Sequence, residues 1–229
     1  MGYSVQHFDH MSRPSYSFEN GGISGVSFTY DRSGNRKYAT VSERRKFLRT
    51  AKAEASIPVY TFCLTLAFTG ARLSEVLALT PRQIDLDAGA IVIRSLKKRD
   101  EHGAMYRAVP VPEHVLRELD AAHGIGAAKQ DERRVDLRIW PWCRTTAWKR
   151  VKEIMRAAGI AGQQANPKGL RHGFAVGALV AGVPDVTVMR WLGHARLETT
   201  MIYTEAIGAE ARTIAKRMWG PLLSRDLLA

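Results

Sequence analysis

Cysteine is scarce in this chain, with two residues among 229, Cys63 and Cys143. Two cysteines that lie far apart provide neither a disulfide framework nor the paired spacing of a cysteine-based metal site. Cys63 lies within an apolar run, which predicts a small buried side chain. We therefore expect a chain suited to a reducing compartment such as the cytoplasm.

Long hydrophobic runs are lacking as well. The longest apolar stretch, at residues 57–68, is too short and too interrupted to span a bilayer. The first ten residues, MGYSVQHFDH, contain no apolar core of a secretory signal. The sequence also lacks a Walker phosphate-binding loop, an internal repeat and a low-complexity segment. These features predict no membrane partner and no step that consumes ATP.

Acidic residues are few, at 22 against 34 lysines and arginines, which gives a formal net charge of +12. An excess of this size predicts a polyanionic partner, with nucleic acid favoured over an anionic membrane surface. A small basic enzyme could carry the same charge for solubility alone. The function must therefore be inferred from side chains that carry chemistry.

Apolar residues recur at helical spacing from Thr40 onward. The run from Thr40 to Glu43 is a capping box, which predicts a helix that ends near residue 55. Pro58 begins a second helix that is apolar nearly all round, and Gly70 interrupts it. Further helices are predicted to begin at Thr80-Pro81, at Pro112, at Thr145 or Thr146, at Asn166-Pro167 and at Pro184-Asp185, and to cover residues 198–206 and 210–219.

Two segments have strand propensity, residues 91–95 and 106–111, and a polar, charged stretch lies between them. They predict a β-hairpin with a long loop. Residues 124–139 are predicted to be a loop, and residues 26–30 either a strand before a turn or part of a flexible arm. The expected fold class is mainly α with a small antiparallel β-hairpin, an α+β fold.

Four separate segments carry groups that suit phosphate chemistry. In the first, TGARLSE at residues 69–75, Glu75 could hold the guanidinium group of Arg72. The second is the hairpin with its lysines. In the third, PKGLRHGF at residues 167–174, Lys168 and Arg171 lie near a helix N-terminus, which favours anions. The fourth contains WLGH at residues 191–194 and TTMIY at residues 199–203.

Each segment alone has a plain structural explanation, such as a surface ion pair or a core tyrosine, but their joint order is more specific. Residues 40–215 resemble the tyrosine recombinase, or phage-type integrase, family. The resemblance implies that Tyr203 attacks a scissile DNA phosphate, forms a 3′-phosphotyrosyl intermediate and frees a 5′-hydroxyl. It implies that Arg72 and Arg171 grip the non-bridging oxygens and that His194 supports the transition state by hydrogen bonding.

The resemblance also implies that a hairpin lysine, Lys97, protonates the leaving 5′-oxygen, with Lys98 an open alternative because the loop is long. Lys168 departs from the pattern, since the family usually has histidine there. A lysine can donate a hydrogen bond to phosphate but is a poor base near neutral pH. Neither a metal nor a cofactor is implied, because the cations themselves stabilise the developing charge. Further DNA contacts are predicted at Lys98, Arg99, Lys149, Arg150, His172 and Arg196, with Glu75 supporting Arg72.

The expected organisation has three parts: a partly flexible arm at residues 1–39, a catalytic domain at residues 40–215, and a tail at residues 216–229. The tail either folds on its own core or contacts a neighbouring protomer. Family members usually carry a sizeable N-terminal domain that clamps DNA, whereas about 40 residues precede the catalytic pattern here. The resemblance therefore implies either a single-domain recombinase or a fragment of a longer one, and we expect weak and salt-sensitive DNA binding.

Double-stranded DNA is the expected partner, with a tetramer on synapsed DNA and a monomer in solution. An accessory DNA-binding protein that supplies the clamp is a further candidate, and the expected location is the cytoplasmic nucleoid. Two other functions remain open from the sequence: a DNA-binding protein of this fold that does not cleave, and a type IB topoisomerase-like enzyme. A covalent DNA adduct that requires Tyr203 would argue against the DNA-binding protein that does not cleave. Relaxation of supercoiled DNA without site preference would favour the topoisomerase-like enzyme.

Overall fold

A computed structural model describes residues 30–194 except residues 32, 101 and 102, and gives the backbone but not the side chains of residues 97–100, 103 and 104. The elements of this part are, in chain order, α1 (Val41–Glu54), α2 (Ile57–Thr69), α3 (Leu73–Leu77), a 3-10 turn (Pro81–Gln83), β1 (Ile84–Asp85), β2 (Ala90–Asp100), β3 (Gly103–Pro110), α4 (Glu113–His123), α5 (Ile125–Lys129), α6 (Arg144–Ala157), α7 (Pro167–Val180) and α8 (Asp185–Leu192). The predicted fold class, mainly α with a small antiparallel sheet, is confirmed.

Helix α1 begins with the predicted capping box. The backbone N–H of Glu43 donates to Thr40 Oγ1 at 3.1 Å, and the Glu43 carboxylate accepts from the Thr40 N–H at 2.8 Å. These bonds satisfy backbone donors that the first turn of a helix leaves without partners. Phe47 and Ala51, four residues apart on one face, are buried against the rest of the domain.

Helix α2 is the central helix, as its apolar sequence predicts. It packs against α1, α4 and α7, and Phe62 and Cys63 are fully buried within it. The helix ends at Gly70, which adopts a left-handed conformation with φ of +61°. A side chain at this position would also lie 2.5 Å from the Phe174 ring, so two independent constraints favour glycine.

The three strands form one antiparallel sheet in the order β1-β2-β3, in which Ile91 pairs with Val109 and Ile93 with Arg107. The predicted hairpin is confirmed, but its charged stretch is not the long loop that we expected. Strand β2 continues to Asp100 and β3 starts at Gly103. Backbone pairing across the hairpin sustains strand structure through residues whose side chains do not favour it.

Two further predictions of local structure were wrong. The segment predicted as a loop at residues 124–139 contains α5, which buries Ile125 and Ala128. The N-cap of α6 is Cys143 rather than either threonine, because the Thr146 N–H donates to the Cys143 Sγ at 3.4 Å. A thiol is a weak acceptor, so a cysteine at this position does not predict a cap.

The ends of α7 and α8 agree with the other predicted signals. Asn166 caps α7 by accepting from the Gly169 N–H at 3.1 Å, and Gly193 ends α8 with φ of +65°. A small apolar cluster between α7 and α8, which includes Val176 and Leu192, fixes the two helices against each other. Strand β3 lies against α8, so the end of α8 approaches the sheet.

The turn predicted after residue 30 is present, closed by the N–H of Asn35 on the Asp31 carboxylate at 2.7 Å and by an isolated bridge between Tyr30 and Arg36. The predicted strand at residues 26–29 and the helices at residues 198–206 and 210–219 lie outside the described residues. In the part of the chain that the structure describes, no helix combines the length and apolar character of a membrane span.

Candidate active site

A single carboxylate, that of Glu75, lies at the centre of the candidate site. Its side chain is 1% exposed, and three guanidinium groups surround it. Arg72 Nη1 lies 2.8 Å from Oε1, Arg107 Nη2 lies 2.6 Å from Oε2, and Arg171 Nη1 lies 4.0 Å from Oε2. The arginines come from the N-cap of α3, from β3 and from α7, so the cluster joins segments that are far apart in the sequence.

The charge balance of this cluster is unequal. Burial alone raises the pKa of the Glu75 carboxyl, but the hydrogen bonds and charge of Arg107, together with the bonds from Arg72, outweigh burial and hold the pKa below its ordinary value. The carboxylate is therefore ionised at neutral pH. One negative charge against three guanidinium groups leaves an excess of positive charge, which is suited to a phosphate.

Arg72 is the N-cap residue of α3, and its own N–H donates to Glu75 Oε2 at 2.9 Å. The predicted contact between Arg72 and Glu75 is present, although Arg72 precedes the helix rather than lying within it. Its side chain is 35% exposed, compared with 8% for Arg107 and 9% for Arg171. Of the three arginines, Arg72 therefore has the side chain that is most accessible to a ligand.

Arg171 is fixed by main-chain oxygens. Its Nη1 donates to Gly70 O at 2.8 Å and its Nη2 donates to Leu192 O at 2.7 Å. The Gly70 carbonyl lies at the end of α2 and the Leu192 carbonyl in the last turn of α8. Carbonyls at the ends of helices lack donors within the helix. Arg171 therefore ties the ends of two helices to α7, beside Glu75.

The neighbours of Arg171 on α7 differ from each other. Lys168 is exposed, whereas His172 is 6% exposed. Burial, followed by the charges of Lys168, Arg171 and Lys37, lowers the pKa of His172 to about 4. His172 was predicted as a DNA contact and is about as buried as Arg171. Lys168 is exposed, so its ammonium group is accessible to a phosphate.

His194 follows Gly193 directly at the end of α8. Burial, and then the charges of Arg171, Arg72, His172 and Arg107, lower the pKa of His194 to about 3. Burial and the nearby guanidinium charges together keep the imidazole neutral at physiological pH. A cavity of about 520 Å³ between β3 and α8 is lined by His194 together with residues of both elements.

The hairpin residues Lys97, Lys98 and Arg99 lie within strand β2, not at a loop tip as the sequence suggested. The pairing register between β2 and β3 shifts between Arg94 and Arg99. Simple alternation of faces therefore does not decide between the two lysines, and Lys97 and Lys98 remain alternatives.

The other predicted contacts are distributed differently. Lys149 and Arg150 lie on α6, where Lys149 is exposed and the Arg150 guanidinium covers the Trp142 ring at 4.6 Å. Tyr203 and Arg196 lie outside the described residues.

Arg107 is the residue of the cluster that the sequence analysis missed. It alternates with Tyr106 and Ala108, which are exposed, and shares a strand face with Val109, which is fully buried. A charged residue at a position that the strand pattern marks as buried indicates a partnered charge. That signal was present in the run Tyr106 to Val109.

The fold is that of a tyrosine recombinase catalytic domain. A crystal structure of XerA recombinase superposes with a TM-score of 0.63 and 24% identity, over 82% of this chain and 65% of that one. XerH recombinase bound to palindromic difH substrate, in a post-cleavage complex, gives 0.63 and 24%, over 85% of this chain and 57% of that one.

Residues 37–209 match the model of the phage integrase family, and the chain belongs to that family. It is 32% identical over 148 residues to tyrosine recombinase XerA of Thermococcus kodakarensis, covering 62% of this chain and 49% of the relative. It is also 32% identical over 154 residues to tyrosine recombinase XerD of Pseudomonas aeruginosa, covering 65% and 49%. The chain spans about half the length of these curated relatives.

Proposed function

We propose that this chain is the catalytic part of a site-specific DNA recombinase, which cleaves and rejoins DNA strands through a covalent link to Tyr203. The observation that carries the proposal is the cluster of three arginines around Glu75, with His194 close enough to Arg171 and Arg72 for their charges to lower its pKa. Such a cluster fits a phosphodiester under attack, because the developing charge lies on the non-bridging oxygens. Membership of the phage integrase family supports the same reaction.

The reaction exchanges one phosphoester bond for another. The Tyr203 phenol loses its proton to water and its oxygen bonds to phosphorus as the bond to the 5′-oxygen breaks, which leaves a 3′-phosphotyrosyl link and a free 5′-hydroxyl. Arg72 and Arg171 hold the non-bridging oxygens, and the His194 imidazole donates one hydrogen bond. Lys97, or Lys98 in its place, gives the proton to the leaving oxygen. The phosphotyrosyl bond conserves the energy of the broken ester, so rejoining needs no ATP.

Tyr203 must approach this cluster for the chemistry to occur. Nine residues separate it from His194 in sequence, and a chain of that length spans at most about 30 Å. A free phenol has a pKa of about 10, so a tyrosine is a weak nucleophile at neutral pH. Surplus positive charge from the arginines favours the phenolate as it forms.

The proposed partner is double-stranded DNA, for which the net charge of +12 provides general attraction. The exposed Lys168 is proposed as a catalytic residue that donates a hydrogen bond to the scissile phosphate, and Lys149, Arg99 and Arg196 are proposed contacts to the DNA backbone. The catalytic domain is proposed to occupy residues 40–215 and to work as a tetramer on two synapsed duplexes. A partner protein that clamps the opposite face of the duplex belongs to the same proposal.

Covalent trapping tests the function. The substrate is a pool of duplexes of randomised sequence, each with a nick close to the cleavage position. After cleavage the short strand with the 5′-hydroxyl dissociates and cannot rejoin, so covalent adducts accumulate and survive denaturation. We expect adducts with the wild-type chain and none with Tyr203→Phe. Binding without any adduct would favour the DNA-binding alternative, and relaxation of supercoiled plasmid without site preference would favour the topoisomerase-like one.

A further inference from the structure

Arg107 on strand β3 connects three elements of the candidate site. Its Nη2 donates to Glu75 Oε2 at 2.6 Å, its Nε donates to Trp191 O at 2.7 Å, and its Nη1 donates to Ser95 Oγ at 3.2 Å. These partners lie on α3, α8 and β2. A single planar guanidinium group thus fixes the relative positions of all three elements.

The bond to Glu75 determines how that carboxylate meets Arg72. Arg107 occupies Oε2, while the Nη1 of Arg72 takes Oε1 at 2.8 Å. Both Arg107 and Glu75 are shielded from water, at 8% and 1% side-chain exposure. A shielded ion pair of this kind is strong and directional, so it holds the carboxylate in one rotamer. Arg72 then has one preferred position.

The bond to Trp191 O fixes the end of α8. The last carbonyls of a helix lack internal donors, and Arg107 supplies one there while Arg171 supplies another to Leu192 O. A side chain at Gly193 would lie 2.9 Å from Arg107 Nη1, so the turn packs directly on the guanidinium group. His194 continues from this turn.

We propose that Arg107 is a positioning residue for the phosphate site, which places Arg72 through Glu75 and places His194 through the end of α8. This inference rests on the proposed function for its effect on cleavage, whereas its effect on α8 stands on the geometry alone. Arg107 itself need not contact the phosphate. Without the Arg107 side chain, Arg72 and His194 are still present but no longer point correctly at the non-bridging oxygens.

A comparison of two substrates tests the effect on cleavage. In a methylphosphonate, a methyl group replaces one non-bridging oxygen, so the transition state needs less stabilisation from aligned cations. Single-turnover cleavage by Arg107→Met should fall about 100-fold on normal DNA, the cost expected of a misplacement near 1 Å. On the methylphosphonate it should fall less than about tenfold relative to wild type. Equal losses on both substrates would overturn the proposal.

Arg82 supplies the matched control variant. It makes a two-pronged pair with Asp136 at 2.7 and 2.8 Å, but both side chains are more than 60% exposed. Arg82→Met therefore removes an arginine–carboxylate pair without touching the site, and wild-type cleavage is expected. Arg107→Lys should recover part of the lost rate on normal DNA, because an ammonium keeps the charge but lacks the planar fork.

Amide hydrogen exchange tests the same inference without DNA. The N–H groups of Gly193 and His194 donate to Arg190 O and Met189 O at 3.0 and 3.1 Å. In Arg107→Met these two amides should exchange at least about tenfold faster, while the amides of α1 keep their protection. Unchanged exchange at Gly193 and His194, or a uniform rise over every helix, would overturn the proposal even if the chain cleaves no DNA.

Discussion

The arginines around Glu75 differ in how far their side chains are exposed to solvent. Arg72 has a third of its side chain open to solvent, whereas Arg171 is nearly enclosed and donates to two main-chain carbonyls. Removing Arg72 takes away a ligand for phosphate and one of several donors to Glu75. Removing Arg171 also leaves two carbonyls at helix ends without donors. Equivalent roles toward phosphate therefore carry different structural consequences.

Arg72→Ala and Arg171→Ala should separate these consequences. Both variants should lose at least about 100-fold in cleavage, as expected for a lost transition-state donor. Arg171→Ala should also lose about 3 kcal/mol of unfolding free energy, and Arg72→Ala about 1 kcal/mol. Single-turnover cleavage and urea unfolding measure the two effects. Near wild-type cleavage by either variant would contradict the assigned phosphate contacts.

Sequence reasoning reached part of this site at the residue scale. The spacing of Arg72 and Glu75 predicted their contact, since residues three apart share a helix face. It did not predict Arg107, because that arginine pairs with a carboxylate 32 positions away and no local pattern encodes the pairing. It also suggested surface exposure for His172, which tertiary packing buries.

Among the elements, the turn after α8 packs closely against the site. Gly193 has φ of +65°, and a side chain at this position would lie 2.9 Å from the Arg107 guanidinium group. Gly159, which follows α6, has nearly the same φ of +66° but open space around it. The two glycines share one backbone requirement and differ in their surroundings.

Gly193→Ala and Gly159→Ala therefore form a matched pair. Each should lose about 1 kcal/mol, because an alanine is strained at positive φ. Gly193→Ala should lose a further 1–2 kcal/mol or so, since its methyl group displaces a guanidinium that three hydrogen bonds hold. It should also cut cleavage about tenfold or more, while Gly159→Ala keeps the wild-type rate. Equal behaviour of the pair would show that the contact with Arg107 is unimportant.

A second element, the segment before α1, is tied down by Glu43. Its carboxylate accepts from both Nη atoms of Arg36 at 2.6 and 2.9 Å and from Gln164 at 3.1 Å. Burial raises the pKa of Glu43, but the bonds from Arg36, the Thr40 N–H and Gln164 outweigh it and lower the pKa to about 2. The segment is thereby linked to the loop before α7.

Glu43 should make the fold sensitive to acid. Because its folded pKa lies below the ordinary value of 4.5, its stabilisation is complete above pH 4.5 and is lost as pH falls toward 2. We expect a loss of about 2 kcal/mol, after allowing for solvent screening at this half-buried site. Urea unfolding over that range should show this dependence in wild type and much less of it in Glu43→Gln.

The control for that titration is Glu113→Gln. Glu113 pairs with Arg117 on the surface of α4, with 80% of its side chain exposed, so its removal should leave the acid dependence intact. His172 and His194 have lowered pKa values and so also destabilise the fold as pH falls below 6.5, and Glu75, whose pKa is lowered as well, does so below 4.5. These contributions are equal in all three proteins. An unchanged acid dependence in Glu43→Gln would contradict the assigned role.

Element boundaries were more predictable than the hairpin. Thr40, Asn166 and Gly193 mark helix ends by local chemistry, which acts over a few residues and is legible in the sequence. The extension of β2 through Lys97 and Lys98 depends on pairing with β3, which is non-local. The cap at Cys143 was missed because a thiol rarely takes the place of a hydroxyl.

At the scale of the whole molecule, the net charge of +12 and the exposed lysines predict a large electrostatic share in DNA binding. The chain corresponds to about half the length of its curated relatives.

Salt dependence measures these contacts directly. Each neutralised phosphate contributes about −0.9 to the slope of log K against log salt concentration. Lys149→Gln should make the slope shallower by about 0.9, while Arg117→Gln, whose charge is already paired with Glu113, should leave it unchanged. Fluorescence anisotropy with a labelled duplex over a range of salt concentrations provides the values. An unchanged slope in Lys149→Gln would remove α6 from the proposed interface.

The identity of the residue joined to DNA is the most direct test of the whole account. Trapped adducts can be digested with nuclease and trypsin and examined by mass spectrometry. We predict that the nucleotide is attached to the peptide covering residues 197–212. The chain has seven tyrosines, and of these only Tyr203 lies in that peptide. Attachment at any other residue would contradict the proposed reaction at the arginine cluster around Glu75.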